Sequence, residues 1–181
     1  MGTHINVSDL QPLDILLYKG TGFTSWLIEF GTSSPYNHVS VVAYPESHIG
    51  IESNTGHQSG VRAFDLRKLP LKEIDVFRLK PEHLHQVDPK KVNSYLVAHL
   101  EAPFDWGGVI GLGLLKLLSL ITLGATKSWH NDFQEKKDYF CSELCYDAFD
   151  AGGIDIVPQI DSATITSPGD ISRSPVLYKV N

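Results

Sequence analysis

Cysteine is nearly absent from this sequence: its 181 residues contain two, Cys141 and Cys145. The pair lies four positions apart in a predicted helix, where rigid geometry makes the two side chains poor disulfide partners. A fold built on disulfides is therefore excluded, and reduced thiols are expected.

A positive net charge is also lacking, because 15 lysines and arginines face 21 acidic residues and give a net charge of −6. A pI near 5.7 argues against a nucleic-acid partner, which binds a basic surface. The hydrophobic share of 42% is that of a globular protein, and the length suits one core rather than two ordinary domains. We therefore predict a single domain over 1–181, with its core at about 10–180.

No hydrophobic run is long enough to cross a bilayer. The most apolar stretch, 109–121, is shorter than the roughly 20 residues that a span needs, and it contains Lys116 and several glycines. It predicts a buried helical segment, at about 105–123, that lines or covers a cleft. A membrane-surface or acyl-chain-binding helix is the alternative interpretation.

The first residues, 1–6, carry no positive region followed by an apolar run, so no signal peptide is visible. A cytoplasmic location is the default expectation. A Met-Gly start is equally compatible with an exported protein whose signal has been trimmed, and the oligomeric state stays open.

The order of apolar patterns predicts an α+β domain with an antiparallel sheet. The predicted strands are 13–18, 39–44, 49–53, 60–64 and 73–79, with a last strand at 176–180 that joins the sheet edge; the predicted helices are 23–30, 89–100 and 138–149. Clean alternation in 73–79 predicts one solvated face for that strand. Residues 167–170 are typical of a turn.

The helix at 138–149 is the centre of the functional prediction. Asp138 is a plausible N-cap, which places Cys141 in the first turn, and Gly152-Gly153 closes the helix. A thiol at this point lies beside unpaired backbone N–H groups and the positive end of the helix dipole, which favour the thiolate. The alternative is a buried structural cysteine.

His38 and Glu52 complete a possible set of catalytic groups. A cysteine hydrolase needs a thiolate, an imidazole that moves the proton, and a polar group that orients the imidazole. His38 stands at the start of one predicted strand and Glu52 in the next strand. If the two strands are neighbours, cross-strand distances of roughly 5 Å between Cβ atoms let the carboxylate face the ring.

Several segments together resemble the circularly permuted NlpC-type papain-like cysteine hydrolases, in their YiiX-like branch, which are related to the lecithin retinol acyltransferase group. The segments are Leu-Asp-Ile-Leu at 13–16, Tyr-Asn-His-Val-Ser-Val-Val at 36–42, Ile-Glu at 51–52 with Gly-Val at 60–61, and Tyr-Phe-Cys-Ser-Glu-Leu at 139–144. The resemblance implies a papain-like antiparallel sheet packed against helices. It also implies that Cys141 is the nucleophile, His38 the general base and acid, and Glu52 the orienting residue. The acyltransferase group is expected to use a histidine in the third position, so Glu52 favours the hydrolase branch.

The expected function is that of a thiol hydrolase, a peptidase or amidase that needs no cofactor and cleaves an amide or peptide bond through an acyl-enzyme. The resemblance suggests small peptides, cell-wall peptides or acyl-amines as substrates. Tyr36 and Tyr139 are candidates for the oxyanion hole, although ordinary packing explains a tyrosine equally well.

Other functions stay open at this stage. A lipid-directed acyltransferase or esterase would use the same three residues, and a binding module would keep the cleft without turnover. A zinc ion held by His38, Glu52, Cys141 and Cys145 is a further alternative, although these residues lack the tight spacing of a structural zinc site.

Overall fold

The computed structural model describes residues 5–19, 34–54, 59–103, 140–160 and 166–181. Within them lies a six-stranded sheet in the order β4-β3-β2-β1-β5-β6, in which every pair of neighbours is antiparallel. The strands are β1 (Ile15–Lys19), β2 (Tyr36–Tyr44), β3 (Ile49–Asn54), β4 (Gly60–Asp65), β5 (Ile74–Leu79) and β6 (Leu177–Lys179). The α+β prediction is confirmed.

In the described part of the chain, three α-helices accompany the sheet: α1 (Pro89–Ala98), α2 (Cys141–Ala151) and α3 (Pro168–Ser172). Short 3₁₀ turns at Val7–Asp9, Pro45–Ser47, Leu66–Lys68, Leu71–Glu73 and Pro81–Gln86 connect the strands and helices. Among the described residues, no helix is long and apolar enough to span a membrane.

The helix α3 corrects the prediction of a simple turn at 167–170. Ser167 and Asp170 form a reciprocal capping box, in which the Asp170 N–H donates to the Ser167 hydroxyl and the Ser167 N–H to the Asp170 carboxylate. Pro168 at the first helical position suits the helical φ angle. The cap stabilises a helix that is too short to show hydrophobic periodicity.

The sheet is buried on both faces. Alternate residues of its central strands, such as Leu17 and Val41, pack on one side with Leu96 of α1 and Leu144 of α2. The intervening residues pack in a second cluster made of Ile5, Leu10, Leu16, Val42, Leu66, Ile74 and Val76. Successive residues of the central strands point to opposite faces of the sheet and therefore pack alternately into the two clusters.

The solvated face predicted for β5 is wrong. Asp75 and Arg78 are the charged residues of the strand, but Asp75 is buried, and the Arg78 guanidinium forms a salt bridge with buried Asp14. The two residues are three positions apart and therefore lie on opposite faces of the sheet, and each takes part in an ion pair.

The last strand, β6, pairs with β5 at the sheet edge as predicted. The predicted helix at 23–30 and the apolar segment at 105–123 lie outside the described residues.

Candidate active site

Cys141 is the first residue of α2, so the thiol stands at the positive end of the helix, as predicted. The N-cap is Phe140, not Asp138, which lies outside the described residues. Its aromatic side chain has no group that could accept a hydrogen bond. The backbone N–H groups of the first turn are therefore left without a side-chain acceptor from the N-cap position.

The other end of α2 closes with a Schellman motif. Gly153 has φ +98°, its N–H donates to the Asp150 carbonyl at 2.8 Å, and the Ile154 N–H donates to the Phe149 carbonyl at 3.1 Å. The predicted Gly-Gly closure is confirmed. The motif determines where α2 ends, and it does not contact the end of the helix that carries Cys141.

The two cysteines of α2 are both free thiols, but their surroundings differ. Cys141 is 9% exposed at the helix start, whereas Cys145, one turn further on, is 1% exposed within the core. Burial raises the pKa of the Cys145 thiol, and the nearby charge of Cys141 raises it further. Cys145 is thus an inert internal reference for Cys141.

His38 is the third residue of β2 and lies between a carboxylate and a thiol. Its Nε2 is 2.6 Å from Glu52 Oε2, and a side-chain hydrogen bond joins the ring to Cys141. Since Glu52 engages Nε2, the ring nitrogen left for the sulfur is Nδ1. The structure therefore brings together the three side chains that the sequence singled out.

The charge state of His38 follows from these contacts. Burial lowers the pKa of the imidazole, but the hydrogen bonds to Cys141 and Glu52 outweigh it and raise the pKa to about 10. The ring side chain keeps 19% of its surface exposed. An imidazolium beside the ionised Glu52 carboxylate is thus the favoured state at neutral pH.

Glu52 is held on both of its oxygens. Oε2 faces His38, and Oε1 accepts hydrogen bonds from Arg62 Nε at 3.0 Å, Arg62 Nη2 at 2.8 Å and Asn54 Nδ2 at 2.9 Å. Burial raises the pKa of Glu52, but the hydrogen bond to His38 and its charge, with Asn54 and Arg62, lower it to about 2. The carboxylate stays ionised throughout the physiological range.

Sequence reasoning missed the contribution of Arg62. Strands β3 and β4 pair so that Glu52 lies directly opposite Arg62. The predicted hairpin of 49–53 and 60–64 contained this signal, since one register of it places an arginine opposite the glutamate.

Tyr18 was also missed. It lies opposite His38 in the β1–β2 pair, and its ring centroid is 5.0 Å from that of the imidazole. The Tyr18 and Ser40 hydroxyls are 2.9 Å apart, and burial raises the pKa of the phenol. This contact limits the orientations open to the His38 ring.

Tyr36, predicted as an oxyanion donor, is engaged elsewhere. Its hydroxyl donates to Asp75, whose same oxygen lies 2.8 Å from both the Lys19 and the Lys179 ammonium groups. The ring packs edge-on against Phe77. A phenol has one proton to donate, so Tyr36 holds the sheet together instead of facing an oxyanion. Tyr139 lies outside the described residues.

The zinc alternative finds no donor cluster in the described parts of the chain. They contain no group of three or more histidine, cysteine, aspartate or glutamate side chains arranged to hold a metal ion. His38, Glu52 and Cys141 are instead paired with one another through hydrogen bonds.

Comparison with known proteins gives a likeness of structure alone. No family model matches the sequence, and no curated protein matches it. A solved structure, described as the metalloprotein YiiX from Escherichia coli O157:H7, superimposes with a TM-score of 0.61 over 94% of this chain and 96% of that one, at 16% identity. The chain therefore shares the fold of YiiX.

Proposed function

We propose that this protein is a thiol hydrolase that cleaves an amide or peptide bond through an acyl-enzyme on Cys141. The observation that carries the proposal is the position of His38, which hydrogen-bonds Cys141 on one side and Glu52, at 2.6 Å, on the other. Nucleophile, base and orienting group thus stand in a row.

In the first half-reaction, the Cys141 thiolate attacks the carbonyl carbon of the bound amide. The His38 imidazolium donates its proton to the leaving nitrogen, the C–N bond breaks, and the amine departs. Cys141 is left as a thioester beside a neutral imidazole. Glu52 keeps the ring in place while its charge changes.

In the second half-reaction, neutral His38 accepts a proton from water, and the resulting hydroxide attacks the thioester carbonyl. The C–S bond breaks, the acid product leaves, and Cys141 returns to the thiolate beside an imidazolium. The cycle consumes one water and needs no cofactor.

The oxyanion of each tetrahedral intermediate needs a hydrogen-bond donor. The backbone N–H of Cys141 is suited to this role because it is the first residue of α2 and the N-cap Phe140 has no side-chain acceptor. Tyr36 is not available, since its hydroxyl donates to Asp75. The helix start thus supplies both the nucleophile and one oxyanion donor.

Small peptides, cell-wall peptides and acyl-amines share the bond that this chemistry breaks. A transferase would form the same thioester and pass the acyl group to an acceptor other than water. The apolar segment that raised the lipid-directed alternative lies outside the described residues. Hydrolysis is proposed because the residue that faces His38 is Glu52 rather than a histidine.

The test is the reactivity of Cys141 toward iodoacetamide, located by peptide mapping. We expect Cys141 to react much faster at pH 6 than the same residue in urea-unfolded protein, because His38 and the N-terminal end of α2 lie beside the sulfur only in the folded site. Cys145 in the same tryptic digest is the internal control and should stay unlabelled. Reactivity of Cys141 equal to that of the unfolded thiol would overturn the proposal.

A second measurement addresses turnover. Incubation with a library of peptide and acyl-amine substrates, quenched in acid, should yield a Cys141 thioester by intact mass, and Cys141→Ser should form no thioester and release no amine. YiiX is described as a metalloprotein, so metal is measured in parallel. Stoichiometric metal that is lost together with the Cys141 reactivity upon chelation would replace the hydrolase proposal with a metal-dependent one.

A further inference from the structure

The two oxygens of Glu52 have different partners. Both contacts from the Arg62 guanidinium, through Nε and Nη2, end on Oε1, where Asn54 also donates. Among the described residues, Oε2 is paired with His38 Nε2. The carboxylate is thus clamped through one oxygen and presented to the imidazole through the other.

Among the described residues, two other arginine–carboxylate pairs show the usual alternative, and a third, Arg173 with Asp170, is joined through Nη2 and Oδ1. Arg67 donates from Nε to Asp65 Oδ1 and from Nη2 to Oδ2, and Arg78 binds Asp14 in the same two-to-two manner. This fork-to-fork geometry is the common one for arginine and a carboxylate. Arg62 departs from it by placing both N–H groups on one oxygen.

The departure has an identifiable cause. Arg62 lies directly opposite Glu52 in the β3–β4 pair, while His38 approaches Glu52 from β2, on the other side of β3. The glutamate therefore receives a guanidinium from one neighbouring strand and an imidazole from the other. An arginine that engaged both oxygens would compete with the ring for Oε2.

From this geometry we infer that Arg62 is a positioning residue of the proposed hydrolase, which holds Glu52 by Oε1 so that Oε2 stays aligned with His38 Nε2. The inference rests on the proposed function and adds a fourth side chain to its site. Arg62 does not touch the reacting atoms in this role and acts through Glu52 and His38.

Arginine suits this role better than lysine. Its planar guanidinium directs Nε–H and Nη2–H together onto Oε1, whereas a lysine ammonium is a point charge on a flexible stem. Arg62→Lys should therefore preserve the charge and lose part of the alignment. Arg62→Gln should lose both.

The experiment compares Arg62→Gln and Arg62→Lys with Arg67→Gln, which removes an equally charged arginine whose partner is Asp65 on the exposed surface. The first readout is the rate of alkylation of Cys141. We expect a fall of roughly tenfold for Arg62→Gln, the lower end of what outer-shell partners contribute, and a smaller fall for Arg62→Lys. Arg67→Gln should react like the wild type.

The second readout separates positioning from substrate binding. Iodoacetamide is neutral and iodoacetate is an anion of similar size. A positioning role predicts that Arg62→Gln slows both reagents by the same factor. A loss confined to iodoacetate would assign Arg62 to anion binding and would overturn the inference.

The third readout is the deshielded ring N–H proton of His38 in the NMR spectrum, which reports the hydrogen bond to Glu52 whether or not Cys141 is activated. We expect this signal to weaken or vanish in Arg62→Gln and to persist in Arg67→Gln. An unchanged signal and unchanged alkylation in Arg62→Gln would overturn the inference and leave the proposed function standing. A signal that depends on Arg62 in a protein whose Cys141 is not activated would support the positioning and reject the hydrolase.

Folding is checked by thermal melting of each variant. Should Arg62→Gln fail to fold, Arg62→Lys decides the matter by the same readouts. Wild-type alkylation with an intact ring signal in that variant would show that the planar clamp has no role.

Discussion

Two buried carboxylates, Glu52 in β3 and Asp14 just before β1, are each bound by an arginine, but with different geometries. Asp14 is fully buried; Arg78 takes both of its oxygens at 2.7 Å, and the Gln11 N–H donates to Oδ2 as well. Glu52 gives one oxygen to Arg62 and keeps the other for His38. A carboxylate whose oxygens are both taken by fixed donors stabilises the fold, whereas one that faces a titratable ring is able to support chemistry.

The largest expected effect is on the reactivity of Cys141, in a variant that lacks the imidazole facing Glu52. His38→Ala removes the imidazole between Glu52 and Cys141, and we expect alkylation of Cys141 to slow by roughly 10²- to 10⁴-fold, the usual contribution of a general base. The rate is measured by mass spectrometry of the Cys141 peptide. His99→Ala, which removes a histidine on α1, is the control; an equal loss there would point to general unfolding.

The Asp14 side predicts an effect on stability. Asp14→Ala leaves the Arg78 guanidinium, itself 17% exposed, without its partner, and we expect the free energy of unfolding to fall by about 3–5 kcal/mol. Urea unfolding measures it. At low urea, where the variant is still folded, Cys141 should keep its alkylation rate. A rate that falls in step with His38→Ala would erase the distinction between the two carboxylates.

Glu52→Gln should show its effect on stability as a function of pH. The pKa of Glu52 in the folded protein, about 2, lies below its ordinary value. The stabilisation that the ionised carboxylate contributes is therefore complete above about pH 4.3 and is lost as the pH falls toward 2. The pKa of His38 in the folded protein, about 10, lies above its ordinary value. The stabilisation that the protonated ring contributes is therefore complete below about pH 6.5 and is lost as the pH rises through 10. The gap in unfolding free energy between wild type and Glu52→Gln should therefore be widest between about pH 4.3 and 6.5.

Urea titrations at a series of pH values measure this gap, with Glu46→Gln, a change in a 3₁₀ turn after β2, as the control. A gap that does not vary with pH would mean that the His38–Glu52 pair has the same ionisation in the folded and unfolded states.

The smallest effect is expected at the second thiol. Cys145→Ala removes one buried sulfur from the core face of α2, and we expect a loss of about 1 kcal/mol in unfolding free energy with no change in the alkylation of Cys141. Thermal melts and peptide mapping measure the two quantities. A marked drop in Cys141 labelling would show that the two thiols act together.

Most of the sheet was accessible to prediction because its strands have local causes. The β-branched run of β2 and the two consecutive short runs that form β3 and β4 depend on residues that are neighbours in the chain. The solvated face predicted for β5 was wrong because the pattern of polar and apolar residues does not show whether solvent or a buried partner faces a polar side chain. Asp75 and Arg78 are polar and yet lie in a sheet that is covered on both sides.

The residues of the site also differ in whether the sequence alone could predict them. Cys141 at a helix start and His38 at a strand start have local signals, and Glu52 followed once neighbouring strands were assumed. Tyr36 was a candidate for the oxyanion hole because of its place near His38, with ordinary packing as the alternative. Its hydroxyl donates to Asp75, 39 residues further along the chain. The role of Arg62 could not be predicted without the exact register of the β3–β4 hairpin.

The sequence by itself determined the helix that carries Cys141 in its first turn, the glycine closure at Gly153, the strand that carries His38 and the absence of a disulfide framework, because each depends on residues within a few positions. Only the tertiary structure decided which oxygen of Glu52 faces His38, which side chain holds the other, and where the Tyr36 proton goes. These depend on the order β4-β3-β2-β1-β5-β6, which places one strand on each side of Glu52. Hydrogen bonds form between atoms a few ångströms apart, and that proximity is set by strand order and register.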